Sequence, residues 1–117
     1  MIVDDSPAEA ALMQAVVKQA GHAVNHVTDG EACLAAVKLE KPALILLDVV
    51  MPKLDGYSVC RRLKKDPETA GVPIIMITSK SQDSDKFWAQ RQGADAFLGK
   101  PFNPDALLQA IKKFLPA

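Results

Sequence analysis

The chain has 117 residues, of which 49% are hydrophobic and 24% charged, the size and balance of one globular domain that buries its own core. Lys plus Arg equals Asp plus Glu at 14 each, which argues against a surface held to nucleic acid by phosphate neutralisation. No apolar run approaches the ~20 residues of a membrane helix, so membrane insertion is excluded as an expectation.

In chain order, five short apolar stretches alternate with helical patterns. The first, "MIVD", is followed by Ser6 and Pro7, a capping residue before a proline at the first helical position. A helix is predicted over 7–20, closed by Gly21, because glycine accepts the left-handed conformation at a helix end. "AVNHV" (23–27) reads as the second strand, and a helical segment containing Cys33 follows it.

"ALILLD" (43–48) and "VPIIMIT" (72–78) are almost continuously aliphatic, as expected of strands covered on both faces and placed centrally in a sheet. Between them lies a helical pattern that contains Cys60. A fourth helix is predicted over 82–92, ending at Gly93, and "AFLGK" (96–100) is the fifth strand. Asn103 and Pro104 repeat the capping signal, and Leu107, Leu108, Ile111 and Phe114 recur at helical spacing opposite Lys112 and Lys113. Strand alternating with helix is the pattern of a parallel sheet built from βαβ units. One α/β domain of (βα)5 type over 1–117 is expected, without linker or repeat.

Cys33 and Cys60 belong to no CxxC or Cys/His cluster, which fits reduced thiols in a cytoplasmic protein. Met1 to Asp5 carry no basic and apolar leader pattern, in keeping with the same location.

In an open parallel sheet, ligands bind beyond the carboxyl ends of the strands, at the point where strand order reverses. Asp4 and Asp5 end the first stretch and Asp48 ends the third. If those strands are neighbours, carboxylates about 5 Å apart repel by roughly 3 kcal/mol per pair at an effective dielectric of ~20. A hard divalent cation such as Mg2+ offsets that repulsion with oxygen ligands, waters and phosphate oxygens. Alternatively, Asp5 serves only the dipole of the first helix and Asp48 only opens a turn. Thr78 and Lys100 end the fourth and fifth stretches; a hydroxyl and an ammonium suit a phosphorylated aspartate, although each alone could be an ordinary strand end or a solvated charge.

These motifs, "DD" at Asp4–Asp5, "DVVMPKLDG" from Asp48, Thr78 and "KPF" from Lys100, resemble the receiver domain of two-component response regulators along essentially the whole chain. The resemblance implies a flavodoxin-like (CheY-like) three-layer fold with strand order 2-1-3-4-5. It implies Asp48 as phosphoacceptor, served by a histidine kinase (CheA-like) or a phosphotransfer domain. It implies Mg2+, with Mn2+ as a substitute, held by Asp5, Asp48 and the Val50 backbone carbonyl, with Asp4 acting through the water shell. Lys100 then pairs with the acyl phosphate, Thr78 moves toward it, Phe97 is the aromatic switch, and the Lys100–Pro101 peptide is cis. Pro52 and Gly56 shape the loop, while Val50 and Lys80 are expected to influence water access to the phosphate.

The stretch "SDKFWAQRQGA" is similar to the PilG/PilH group of type IV pilus twitching-motility regulators, which implies a downstream motility target and a monomeric single-domain switch. Phe87 and Trp88 in a polar fourth helix offer an exposed aromatic anchor; the alternative is Phe87 packed inward with Trp88 against Arg91. A haloacid-dehalogenase-type phosphatase needs an acid two residues after its nucleophile, where this chain has Val50, so turnover of external esters is not expected. A flavodoxin needs a first loop that cradles phosphate, and "DDSPAE" would repel it. A receiver that only binds partners, or one belonging to a larger regulator or hybrid kinase, is the remaining alternative.

Overall fold

Five parallel strands carry the five apolar stretches: β1 (Ile2–Val3), β2 (His26–Val27), β3 (Ile45–Leu47), β4 (Ile74–Thr78) and β5 (Ala96–Gly99). A computed structural model describes residues 1–51, 53–79 and 82–115, so Pro52 and Lys80, with the roles expected of them, lie outside the described residues. The helices are α1 (Pro7–Gln19), α2 (Gly30–Leu39), α3 (Gly56–Lys65), α4 (Asp83–Arg91) and α5 (Pro104–Phe114). The sheet order is β2-β1-β3-β4-β5, all neighbours parallel.

The near-continuous aliphatic runs feed two cores at once, because successive strand side chains point to opposite faces. Val3, Ile45, Leu47, Ile74 and Met76 pack with Cys33, Val37, Val59, Cys60 and Leu63 beneath α2 and α3. Ile2, Leu44, Leu46, Ile75 and Ile77 pack with Ala10, Met13, Leu107 and Ile111 beneath α1 and α5. Three layers result, with β3 at the centre.

The helix signals act as read. Ser6 Oγ accepts from the Glu9 N–H at 3.4 Å, and Asn103 Oδ1 accepts from the Asp105 N–H at 2.8 Å. Gly21 and Gly93 take positive φ of 90° and 97° where α1 and α4 end. Two expectations need correction. The second strand is His26–Val27 rather than all of 23–27, because its neighbour β1 offers only Ile2 and Val3 as ladder partners. Phe87 does not pack inward: both rings are more than half exposed, and the Arg91 guanidinium sits 5.7 Å from the Phe87 centroid. Helix α4 buries Ala89 alone among its described residues, so an inward aromatic has no core position to occupy.

A clamp at the amino edge of the sheet sets the register of β4 and β5. Asp95 Oδ2 accepts from the Lys64 ammonium and from the Ile74 N–H, both at 2.8 Å, while Lys64 also donates to the Val72 carbonyl at 2.8 Å. Asp95→Ala strands the fully buried Ile74 N–H and is expected to cost about 1–3 kcal/mol. Asp95→Asn keeps an acceptor there and should cost less. Urea denaturation of the three proteins checks the order, and equal midpoints would contradict it.

Candidate functional site

Asp48 emerges at the carboxyl end of β3 because the buried run Ile45–Leu47 ends there, between β1 and β4. Its N–H donates to the Val3 carbonyl at 3.0 Å, which fixes it beside the end of β1. Gly56, at the first position of α3, donates to the Val49 carbonyl at 2.9 Å and so ties the start of α3 to the residue after Asp48. Within the loop between them Lys53 has φ of 68°, a left-handed conformation that disfavours a side chain.

Three carboxylates meet one ammonium at this edge. The Lys100 side chain is 8% exposed, and its Nζ donates to Asp4 Oδ2 at 2.8 Å, to Asp48 Oδ2 at 3.3 Å and to the Glu9 carboxylate. Carboxylate oxygens of Asp4, Glu9 and Asp48 lie within 4.8 Å of one another. Asp4 is fully buried and its other oxygen accepts from the Ser6 N–H at 2.8 Å. The Val50 N–H donates to Asp48 Oδ1 at 3.4 Å, so the backbone of this half-exposed residue turns back onto the Asp48 carboxylate.

Burial raises the Asp48 carboxyl above its ordinary range; the Lys100 charge opposes this and the Asp4 charge adds to it. For Lys100, burial pulls downward, but the hydrogen bonds to Asp4 and Glu9 and the charges of Asp48 and Asp4 outweigh it, and the net shift is upward. The ammonium is therefore firmly charged, not a solvated surface group.

Thr78 is buried at the end of β4, and its carbonyl accepts from the Lys100 N–H at 2.8 Å. The Lys100–Pro101 peptide is cis. Phe97 pairs with Met76 across β4 and β5, half-buried against the core beneath α2 and α3. Asp5 is exposed, beside but outside the group of three carboxylates that cluster in this structure.

The pocket also holds a carboxylate that was not expected there, Glu9. Ser6 as N-cap places Glu9 in the first turn of α1, so the capping signal limits where Glu9 can lie. Clustered carboxylate oxygens at this spacing are the donor set that a hard cation such as Mg2+ takes, and they fit it.

A doubly wound parallel sheet with an acidic pocket and a buried lysine at its carboxyl edge defines a CheY-like receiver. Residues 1–112 match the response regulator receiver domain family, and the chain belongs to it. Such domains work in two-component signalling, meeting histidine kinases or phosphotransfer proteins and binding Mg2+ through an acidic pocket. The chain is 42% identical to Protein PilH of Pseudomonas aeruginosa over 115 residues, 98% of this chain and 95% of that one. It is 37% identical to the DNA-binding dual master transcriptional regulator RpaA of Synechocystis over 98% of its own length, but spans only 48% of RpaA. The crystal structure of a protein from Chloroflexus aurantiacus assigned as a response regulator superposes with a TM-score of 0.94 at 34% identity, covering 99% of this chain and 95% of that one. Among the described residues no helix is long and apolar enough to cross a membrane.

Proposed function

We propose that this chain is a phosphorylation switch that accepts a phosphoryl group on Asp48 from the phosphohistidine of a histidine kinase or phosphotransfer domain. The observation that carries the reading is the Asp48 carboxylate at the sheet edge, sharing one buried ammonium with Asp4. An Asp48 oxygen attacks phosphorus, the P–N bond breaks as the P–O bond forms, and the electron pair leaves on the imidazole nitrogen. Lys100 and the Thr78 hydroxyl bind the phosphoryl oxygens. Mg2+, or Mn2+ in its place, supplies charge neutralisation when bound; Asp48, Asp4, Asp5 and the Val50 carbonyl are its candidate holders. The chain turns over no external substrate: it catalyses only its own phosphorylation and dephosphorylation, since Val50 stands where a phosphatase needs an acid.

Output runs through α4, β5 and α5. Helix α4 buries one described side chain and presents Phe87 and Trp88, so little packing opposes its displacement and two aromatic rings are available to a partner. Likeness to PilH supports a regulator with a motility target, in type IV pilus twitching or chemotaxis-type signalling, and we read it as a cytoplasmic monomer without nucleic-acid contact of its own. The match to half of RpaA supports a second reading, a receiver that belongs to a longer regulator.

Incubation with Mg2+ and acetyl phosphate or phosphoramidate is expected to add one hydroxylamine-labile phosphoryl group by intact mass, and Asp48→Asn to remove it. Failure to gain mass, with a cognate kinase tried too, would leave a phosphate-independent binding module.

A further inference from the structure

An ammonium has three N–H donors, and in this structure Asp4, Glu9 and Asp48 engage Lys100 Nζ together. A role for Glu9 rests on the phosphoacceptor reading, in which transfer changes Asp48 from one negative charge to about two and adds phosphoryl oxygens that need donors. The N–H now on Asp48 can turn to one phosphoryl oxygen, and serving a second requires giving up Asp4 or Glu9. Asp4 is fully buried, and stripping its charge of the ammonium would leave it without water to replace the contact. The Glu9 side chain is 44% exposed, so water can take over its oxygens at small cost.

We propose that Glu9 is a positioning residue: it holds the Lys100 ammonium toward α1 while Asp48 is unmodified, and releases it to the phosphoryl group on transfer. Its carboxylate then acts on the site with opposite signs. It attracts a cation beside Asp4 and Asp48, and it competes with an anion seated on Asp48 for the same ammonium. A side chain that merely supports the fold would weaken both ligands alike when replaced.

The test uses the full chain, wild type and Glu9→Gln, with Mg2+ alone by titration calorimetry and then beryllofluoride at saturating Mg2+ followed by 19F NMR. Beryllofluoride is a non-covalent stand-in for the acyl phosphate. For a half-exposed carboxylate at this range, Glu9→Gln is expected to weaken Mg2+ roughly three- to tenfold and to tighten beryllofluoride by a similar factor. Glu9→Asp, which keeps the charge, should return both toward wild type. Unchanged affinities, or a loss of both, would overturn the inference. A fall in Mg2+ affinity beyond about a hundredfold would also overturn it, placing Glu9 on the ion instead of on Lys100. If the wild type itself takes no beryllofluoride, the phosphoacceptor reading fails and carries this one with it. Binding by the wild type that Glu9→Gln leaves untouched refutes the role of Glu9 alone.

Discussion

Lys100→Met is expected to lower stability by on the order of 2 kcal/mol at neutral pH without Mg2+, and to make the protein more strongly stabilised by Mg2+ than the wild type is. The ammonium is the group that neutralises Asp4, Asp48 and Glu9 at once; methionine fills the space but leaves one fully buried carboxylate and one nearly so without a cation. Complete burial would cost more, but Glu9 reaches water and Asp48 lies at the rim, which brings the figure down. A divalent ion supplies the missing positive charge, so thermal midpoints of wild type and variant should converge as Mg2+ is added.

The pH dependence has a definite sign. Burial already raises the Asp48 carboxyl and Lys100 opposes that rise, so losing Lys100 lifts it further. A carboxyl whose folded pKa exceeds its unfolded value loses stability as pH rises through the folded pKa and recovers it as pH falls. The deficit of Lys100→Met should therefore shrink on acidification from neutrality toward the carboxylate range. A deficit that grows on acidification, or a Mg2+ effect equal in both proteins, would show that the ammonium is not what balances these acids.

Much of this was legible because burial on two faces leaves an unambiguous trace. The runs at Ile45–Leu47 and 74–77 have no polar face, which only a covered strand tolerates; Asp48 and Thr78 stand where such a run stops, and Lys100 follows the partly buried β5. The limits of β2 were not legible, since an edge strand extends only as far as its neighbour's backbone and "AVNHV" says nothing about β1. Glu9 was missed for a different reason. Its place in the pocket depends on the angle at which α1 leaves β1, a tertiary quantity, although the Ser6 cap limits where its first turn can lie. Likewise, whether Phe87 turns inward depends on how little of α4 the core covers.

Gly56→Ala should be the more damaging change, with about 3 kcal/mol or more of lost stability and phosphoryl uptake reduced by about a hundredfold or more in whatever folds. A Cβ on Gly56 would stand 2.2 Å from the Asp48 carbonyl oxygen and 2.8 Å from the Val49 Cα, both backbone atoms that no rotamer change can move aside. Relief therefore requires the start of α3 to retreat from β3, which breaks the Gly56 N–H bond to the Val49 carbonyl and displaces the peptide that carries Asp48. Lys100 is anchored separately, through its own N–H to the Thr78 carbonyl, so it cannot follow Asp48. Gly71→Ala is the control: a Cβ there meets nothing within 4 Å, and stability should change by no more than about 1 kcal/mol. Urea denaturation and the rate of mass gain with acetyl phosphate read both effects. A Gly56→Ala protein with a wild-type midpoint and wild-type uptake would mean that the loop after β3 yields freely, and that the glycine does not set the position of Asp48.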